Sequence, residues 1–486
     1  MRHFEKIGIV ILIGLLSFLL HRKEINEFPS YMHAWAQSDH YAIAIGFTQN
    51  NLNFFLPQTY NLNPQFPGKF RIPKDNGITA VDFPIHQFLP GIAMKLSGEI
   101  APWYFRIYLL IYSLIGLLYL YLLSNLFIKN KIQSLFITIF ALTSPIYLYY
   151  QAGFLPTIPS LSNLFIALYF YFKYKSSENQ KDFFTSVFFL ALASLSRTPF
   201  SIFYISIIGI EIIQAIKYKR FNYRVFIPLL SGALIMAGYF LYNMHLRDIY
   251  GSVFLAQPLP PDNLNDALSL INQTLKNWLF QYFTIYHYIF ISLLICLLLF
   301  SFASQKRQFT NRLQNQLISY ILLTLPITTI YFILMLKQFP AHDYYFLDTF
   351  YPLWILGIIG LLSFLIIKTN TTKRLSLLVL SIFCFGFILK SNNIQKLRRQ
   401  TGDWDNIEIT KQNFTDSEKF LNFLNISKSA KILVIDSYTP NIPFILMKRK
   451  GYGIMATTEE NIKNSIIWKY DYIVIQDYFL MTDVIR

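Results

Sequence analysis

The chain has 486 residues, 54% of them hydrophobic and only 14% charged, where a soluble domain carries about a quarter. That composition excludes a disordered chain and an ordinary water-soluble enzyme, because the apolar residues lie in blocks long enough to cross a bilayer. The formal charge of +16 is scattered between those blocks instead of forming one basic face, so it describes no nucleic-acid surface.

Backbone N–H and C=O groups in hydrocarbon must be satisfied within the segment, which requires about 20 apolar residues per helical span. The sequence reads as an α-helical polytopic membrane protein of about eleven spans, near 5–21, 105–127, 132–150, 158–173, 183–196, 199–216, 225–243, 284–303, 315–335, 346–367 and 375–390. The first has Arg2 and Lys6 before it and His21, Arg22 and Lys23 after it, with no small-residue cleavage site, and reads as a signal anchor. Alternate short loops hold 15 Lys and Arg against 4 in the others, which predicts a cytoplasmic amino terminus and an extracytoplasmic carboxyl tail. Cys296 and Cys384 both lie inside apolar blocks and form neither a disulfide framework nor a zinc pattern.

Two stretches outside the bilayer are long enough for structure of their own. The first outer loop, 22–104, is proline-rich with apolar patches and predicts short helices on the membrane surface, completing a transmembrane unit of residues 1–390. Residues 391–486 predict a small extracytoplasmic α/β domain, with KILVID and YIVIQD as buried strands and TEENIKNSIIWK as an amphipathic helix. No Gly-rich phosphate loop follows KILVID, so nucleotide binding has no support there.

Ionisable residues near the outer membrane face are costly unless paired or functional. Asp39, in WAQSDHYAIAIGF, reads either as a cap or solvated residue, or as a sheltered base on a helix whose Trp35, Tyr41 and Ile45 face the bilayer. Asp82, before Pro84, reads as an N-cap for IHQFLPGIAMKL, as a functional carboxylate, or as both. Arg106 and Arg197 sit in apolar surroundings and either snorkel to the interface or meet an anion. Lys337 and His342 beside Tyr344 and Tyr345 form a late outer cluster in which the tyrosines read as aromatic belt and the cations suit a phosphate. His33, His40 and His86 match no strong metal-ligand spacing.

The order and shared sidedness of these pieces resemble the GT-C superfamily of integral-membrane glycosyltransferases, in the branch of protein O-mannosyltransferases and aminoarabinose transferases related to glycosyltransferase family 39. Asp39, His40, Tyr41 and Ala42 are similar to the family's acidic opening of the first outer loop, and Asp82, Pro84, Gly98 and Arg106 to its acidic-Pro, Gly and Arg sequence. Arg197 in ALASLSRTPF and HDYY at 342–345 match weaker family features. The resemblance implies an inverting transfer of a sugar from a polyprenyl-phosphate donor to an acceptor hydroxyl or amine at the extracytoplasmic face of the plasma membrane. In it Asp39 is the base, Asp82 orients acceptor or sugar, and Arg106, Arg197, Lys337, His342, Tyr344 and Tyr345 bind substrate. It implies no required cofactor and no metal ligand set, although His40 stands where many relatives carry a second acidic residue, so a divalent metal stays open. The rival readings are a transporter or flippase of lipid-linked sugars, which would place polar residues near the midplane of repeated halves, and an O-antigen polymerase or ligase, which would need a late outer loop rich in Arg and His.

Overall fold

Apolar runs of this length close their backbone hydrogen bonds internally, and in the computed structural model, which describes residues 3–69, 74–304, 311–364, 370–400, 405–455 and 458–476, the described part of each expected segment is mainly helical. In chain order these are α1 (His3–His21), the outer-loop helices α2 (Ala34–Gln49) and α3 (Ile85–Ser97), then α4 (Pro102–Ile128), α5 (Lys131–Leu142), α6 (Pro145–Gln151), α7 (Thr157–Ser177), α8 (Gln180–Ser196) and α9 (Ser201–Lys217). They continue as α10 (Tyr223–Tyr250), α11 (Leu264–Tyr282), α12 (Ile285–Ser304), α13 (Arg312–Leu334), α14 (Tyr345–Asp348), α15 (Phe350–Ser363) and α16 (Asn370–Arg398). Among the described residues five helices are long and apolar enough to cross a membrane alone, or up to seven spans if each of two bent pairs counts as one. The other expected segments are helical but shorter or less apolar.

The bends have local causes. Pro145 has no N–H to give and pushes the preceding residue out of helical space; Ser144 accordingly sits at ψ 125°, and the expected third span breaks by 75° into α5 and α6. The region read as a loop over 244–283 instead holds the end of α10 and all of α11. Leu264, Leu268, Ile271 and Leu275 recur at helical spacing on α11, and the Asn263 side chain caps it by accepting from the Asp266 N–H. A 91° bend then separates α11 from α12.

At the centre, α7 packs between α4 and α8 and is buried without interruption from Thr157 to Leu168. Hydrocarbon supplies little hydrophobic drive between helices, so close approach of small residues does the work. A Cβ at Gly116 of α4 would overlap Ser162 of α7, and the side-chain oxygen of Asn163 beside it accepts from the Tyr112 hydroxyl at 2.7 Å.

The tail holds α17 (Asn406–Phe414), α18 (Ser417–Phe423), β1 (Ile432–Ile435), α19 (Ile442–Met447), β2 (Gly451–Ile454), α20 (Glu459–Ser465) and β3 (Tyr472–Ile475). The three strands are parallel in the order β2-β1-β3, with Ile432 level with Gly451 and Tyr472. The central strand β1 is buried as expected. By contrast β3 is an edge strand, and Tyr472, Ile473 and Ile475 are about half exposed. The sheet's core is continuous with the first outer loop: Ile432, Val434 and Phe444 pack in one cluster with Tyr41, Ala44, Ile45 and Tyr60. Tyr41 and Ile45 are therefore buried under the tail instead of facing the bilayer.

Candidate active site

α2 places Asp39 where α2, the outer loop and the tail meet. Its carboxylate is 1% exposed and accepts a hydrogen bond from the Asn441 side-chain amide at 2.9 Å. The Asn441 carbonyl oxygen in turn accepts from the backbone N–H of Asn61 at 3.1 Å, which fixes the amide's orientation. Burial pushes the Asp39 carboxyl up to about 8, against the opposing hydrogen bonds from Asn441 and Trp35. Asp39 is thus neither a cap nor solvated.

One residue on, His40 lies against the Phe254 ring at 4.7 Å, with its Nδ1 2.8 Å from Gln87 Nε2. Burial and the nearby Arg197 hold it down at about 3, so its ring is neutral. Arg197 occupies an extended residue between α8 and α9. Its Nε donates to Asp348 at 2.8 Å, and its guanidinium lies over Tyr344 at 5.4 Å and Tyr345 at 5.5 Å. Arg197 therefore neither snorkels nor sits alone.

Asp82 does not cap α3, whose N-cap residue is Pro84. It accepts instead from the Thr198 hydroxyl at 3.0 Å, immediately after Arg197. Burial raises its carboxyl pKa, and Arg197 and Thr198 oppose the rise. Asp82 lies at the polar end of a cavity of about 300 Å³ between α8, α9 and α10, whose walls include Ile205, Ile208, Met236 and Phe240.

A second ionic cluster adjoins the first through Tyr344. Asp343 is fully buried, pairs with Arg398 and accepts from the Tyr150 hydroxyl at 2.7 Å. Its oxygen lies 3.1 Å from His33 Nε2. Burial works to raise the Asp343 carboxyl, but Arg398 and His33 overcome it and hold the group well below the ordinary range. The His342 ring stands 5.5 Å from His33 and 5.5 Å from Tyr344, and burial with His33 lowers it to about 4.

Two expected substrate cations are engaged elsewhere. Arg106 met the anticipated need for a partner with carbonyls: it donates to Glu27 O at 2.9 Å and Ala152 O at 2.7 Å and covers the Phe154 ring. That ties α4 to the outer loop. Lys337 forms an exposed pair with Asp262 at 2.5 Å, just before α11. His33, His40 and His86 do not converge, since His86 Nδ1 lies 2.8 Å from the Tyr108 hydroxyl. Among the described residues no group of three or more His, Cys, Asp or Glu is placed to hold a metal ion.

The structure places Asp82, Arg197, Tyr344 and Tyr345 near one another, and sequence reasoning left out Asn441, Asp348 and Arg398. Arg398 had a readable signal: it follows the last span on the side where the charge rule expects few cations. Asp348 had one too, as a carboxylate inside the expected span 346–367; Asn441 had none.

A likeness elsewhere gives this arrangement its setting. Residues 82–242 match the family described as dolichyl-phosphate-mannose-protein mannosyltransferase. In three dimensions the chain is similar to ArnT from Cupriavidus metallidurans bound to undecaprenyl phosphate, with a TM-score of 0.60 and 7% identity over 98% of this chain and 91% of that one. The chain shares that fold. The apo oligosaccharyltransferase of Archaeoglobus fulgidus is similar at a TM-score of 0.52 and 11% identity, over 93% of this chain but 64% of that one. The same organism's AglB, in complex with an inhibitory peptide and a dolichol-phosphate, gives 0.50 and 12%, over 93% and 65%. No curated protein matches the chain by sequence. Within that fold, the tail's Asn441 reaches back onto α2 to close over Asp39, and Asp82 and Thr198, beside Arg197 in the chain, line an apolar cavity.

Proposed function

We propose that this GT-C chain transfers a sugar from a polyprenyl-phosphate donor to an acceptor hydroxyl or amine at the extracytoplasmic membrane face, with inversion. The observation that carries the reading is the junction of Asp82 and Thr198 with the apolar cavity between α8, α9 and α10, one residue along the chain from Arg197. A lipid phosphate needs a cation at its head and an apolar wall for its tail, and that junction offers both. The relatives solved with undecaprenyl phosphate and dolichol-phosphate support the same donor class. The excess of Lys and Arg in alternate loops supports a cytoplasmic amino terminus, with the site and residues 391–486 outside.

In the reaction an acceptor oxygen attacks the anomeric carbon, its proton passes to Asp39, and the electrons of the breaking C–O bond go to the carrier phosphate. Arg197, with Arg398 in the adjoining cluster, offsets the charge on that leaving group. Asp82 orients the sugar or acceptor, and Tyr344 and Tyr345 hold the Arg197 plane. Eleven spans, residues 1–390 as transmembrane unit, and no required cofactor belong to this reading.

The test incubates purified protein, reconstituted in sealed lipid vesicles, with radiolabelled polyprenyl-phosphate sugars and membrane extract. Label entering an acceptor fraction is the expected result; label crossing vesicles unchanged would favour a flippase and defeat the proposal.

Asn441 gives a second measurement. It donates to the Asp39 carboxylate, and a hydrogen bond to a charged group is worth about 1.5–3 kcal/mol, or roughly one to two pK units. Asn441→Ala therefore moves the alkaline rise of kcat/KM for transfer upward by about that much. A profile with its inflection unmoved would mean that Asn441 does not tune Asp39.

A further inference from the structure

The reading above leaves the acceptor unnamed, and a cavity that it does not use bears on that. Between the first outer loop, the end of α10 and the tail lies a cavity of about 650 Å³, within the range of about 300–1,000 Å³ typical of small-molecule sites. It is not a cation cradle: Lys74 reaches it but lies over the Tyr250 ring at 5.0 Å. Its lining is instead amide, carboxylate and ring, with Gln65 from the outer loop, Glu460 and Asn464 from α20, and the rings of Tyr250 and Trp468.

We propose that this cavity is the acceptor subsite and that it takes a short carbohydrate; as an acceptor assignment it rests on the glycosyl transfer proposed above. Three observations carry it. First, the chemistry fits a sugar. A pyranose presents adjacent hydroxyls that both donate and accept, and Asn and Gln amides beside a Glu carboxylate answer them, while its C–H face lies on aromatic rings. The Gln65, Glu460 and Asn464 side chains make no hydrogen bond within the protein among the described residues.

Second, the floor is built. The cavity opens at the carboxyl end of β2, where ligands bind in parallel sheets, and the Asn63 amide fixes Gly453 there with two backbone hydrogen bonds at 2.9 and 2.8 Å. A peptide would add to a free sheet edge, but on β2 that edge is covered, because Asn61 bridges Gly451.

Third, the place is right. Asn61, whose N–H orients Asn441 over Asp39, is two residues from Asn63 along the same segment, a span of about 7 Å at most. The segment that lines the cavity at Asn63 is thus the one that orients the amide bonded to the proposed base.

The test measures calorimetric binding of maltotriose, chitotriose, mannotriose and cellotriose to the intact protein in nanodiscs. At least one binds saturably; Trp468→Ala and Asn464→Ala each weaken it about tenfold or more; Asp39→Asn leaves it unchanged. Because Trp468 also stacks on Tyr452 at 5.2 Å, the exposed Asn464 guards against a folding effect. Binding of none of the four, or binding indifferent to both substitutions, overturns the inference, as does displacement of the sugar's place by an extended peptide. Transfer in which Trp468→Ala leaves acceptor KM unchanged would sink this subsite and spare the proposed function. Trp468-dependent binding without any transfer would do the reverse.

Discussion

Asp39→Asn is expected to lower transfer by about 100- to 10,000-fold, the usual contribution of a positioned general base, while the protein folds at least as well as the native chain. The two halves of that expectation share one cause. Burial pushes the Asp39 carboxyl up to about 8, so at neutral pH roughly a tenth of it is ionised, and kcat/KM should climb as pH rises toward that value. For stability the sign is opposite. An unfolded Asp ionises near pH 3.9, so between there and about 8 the folded chain holds a proton that the unfolded chain has lost. Folding stability conferred at this site is complete at the acid end of that window and declines as pH rises through it. Asn carries no such proton, so thermal unfolding of Asp39→Asn followed from pH 5 to 8 should lack the native decline. If the two proteins show the same slope, the carboxyl is ionised throughout and its role as a base of raised pKa is wrong. If the variant keeps its turnover, the base lies elsewhere.

How much of this site could be read without coordinates depended on whether a residue broke a local rule. Asp39 stood out because a carboxylate in WAQSDHYAIAIGF is costly in apolar surroundings, and it is indeed closed off. Its helix, however, was expected to turn Tyr41 and Ile45 to lipid, whereas the tail buries both. Nothing in a periodic pattern says which apolar partner covers a face. Arg197 stood out as a cation on the side with few, and Arg398 broke the same rule but was taken into the tail. Asn441 broke none: an asparagine in a loop is ordinary, and its partner is 402 residues away. The elements followed the same logic. Apolar length located the helices, whereas the break at Ser144 needed Pro145 to be weighed against that length. α11 carried a legible spacing that was overlooked because its polar face lowers the mean hydropathy of the segment.

The largest stability effect should come from Arg398→Gln. Its guanidinium is 1% exposed and faces an Asp343 carboxylate that is fully buried, so removing the cation strands a charge where water does not reach. Breaking such a pair from one side costs about 3–5 kcal/mol, enough to consume much of a typical folding margin of about 5–15 kcal/mol. The Tyr150 hydroxyl and the nearby His33 remain, which places the loss toward the lower end of that range. Lys337→Ala, from a pair open to solvent, should cost no more than about 1 kcal/mol and serves as the comparison. Adding Asp343→Asn to Arg398→Gln removes the stranded charge, and unfolding in detergent should then return most of the lost stability. That double variant also separates two roles of Arg398. If its guanidinium only balances Asp343, recovery of stability restores donor KM as well. If it also meets the carrier phosphate, donor KM stays elevated in a protein that is once again stable, and that second outcome is the one expected from an arginine joined to the Arg197 cluster through Tyr344.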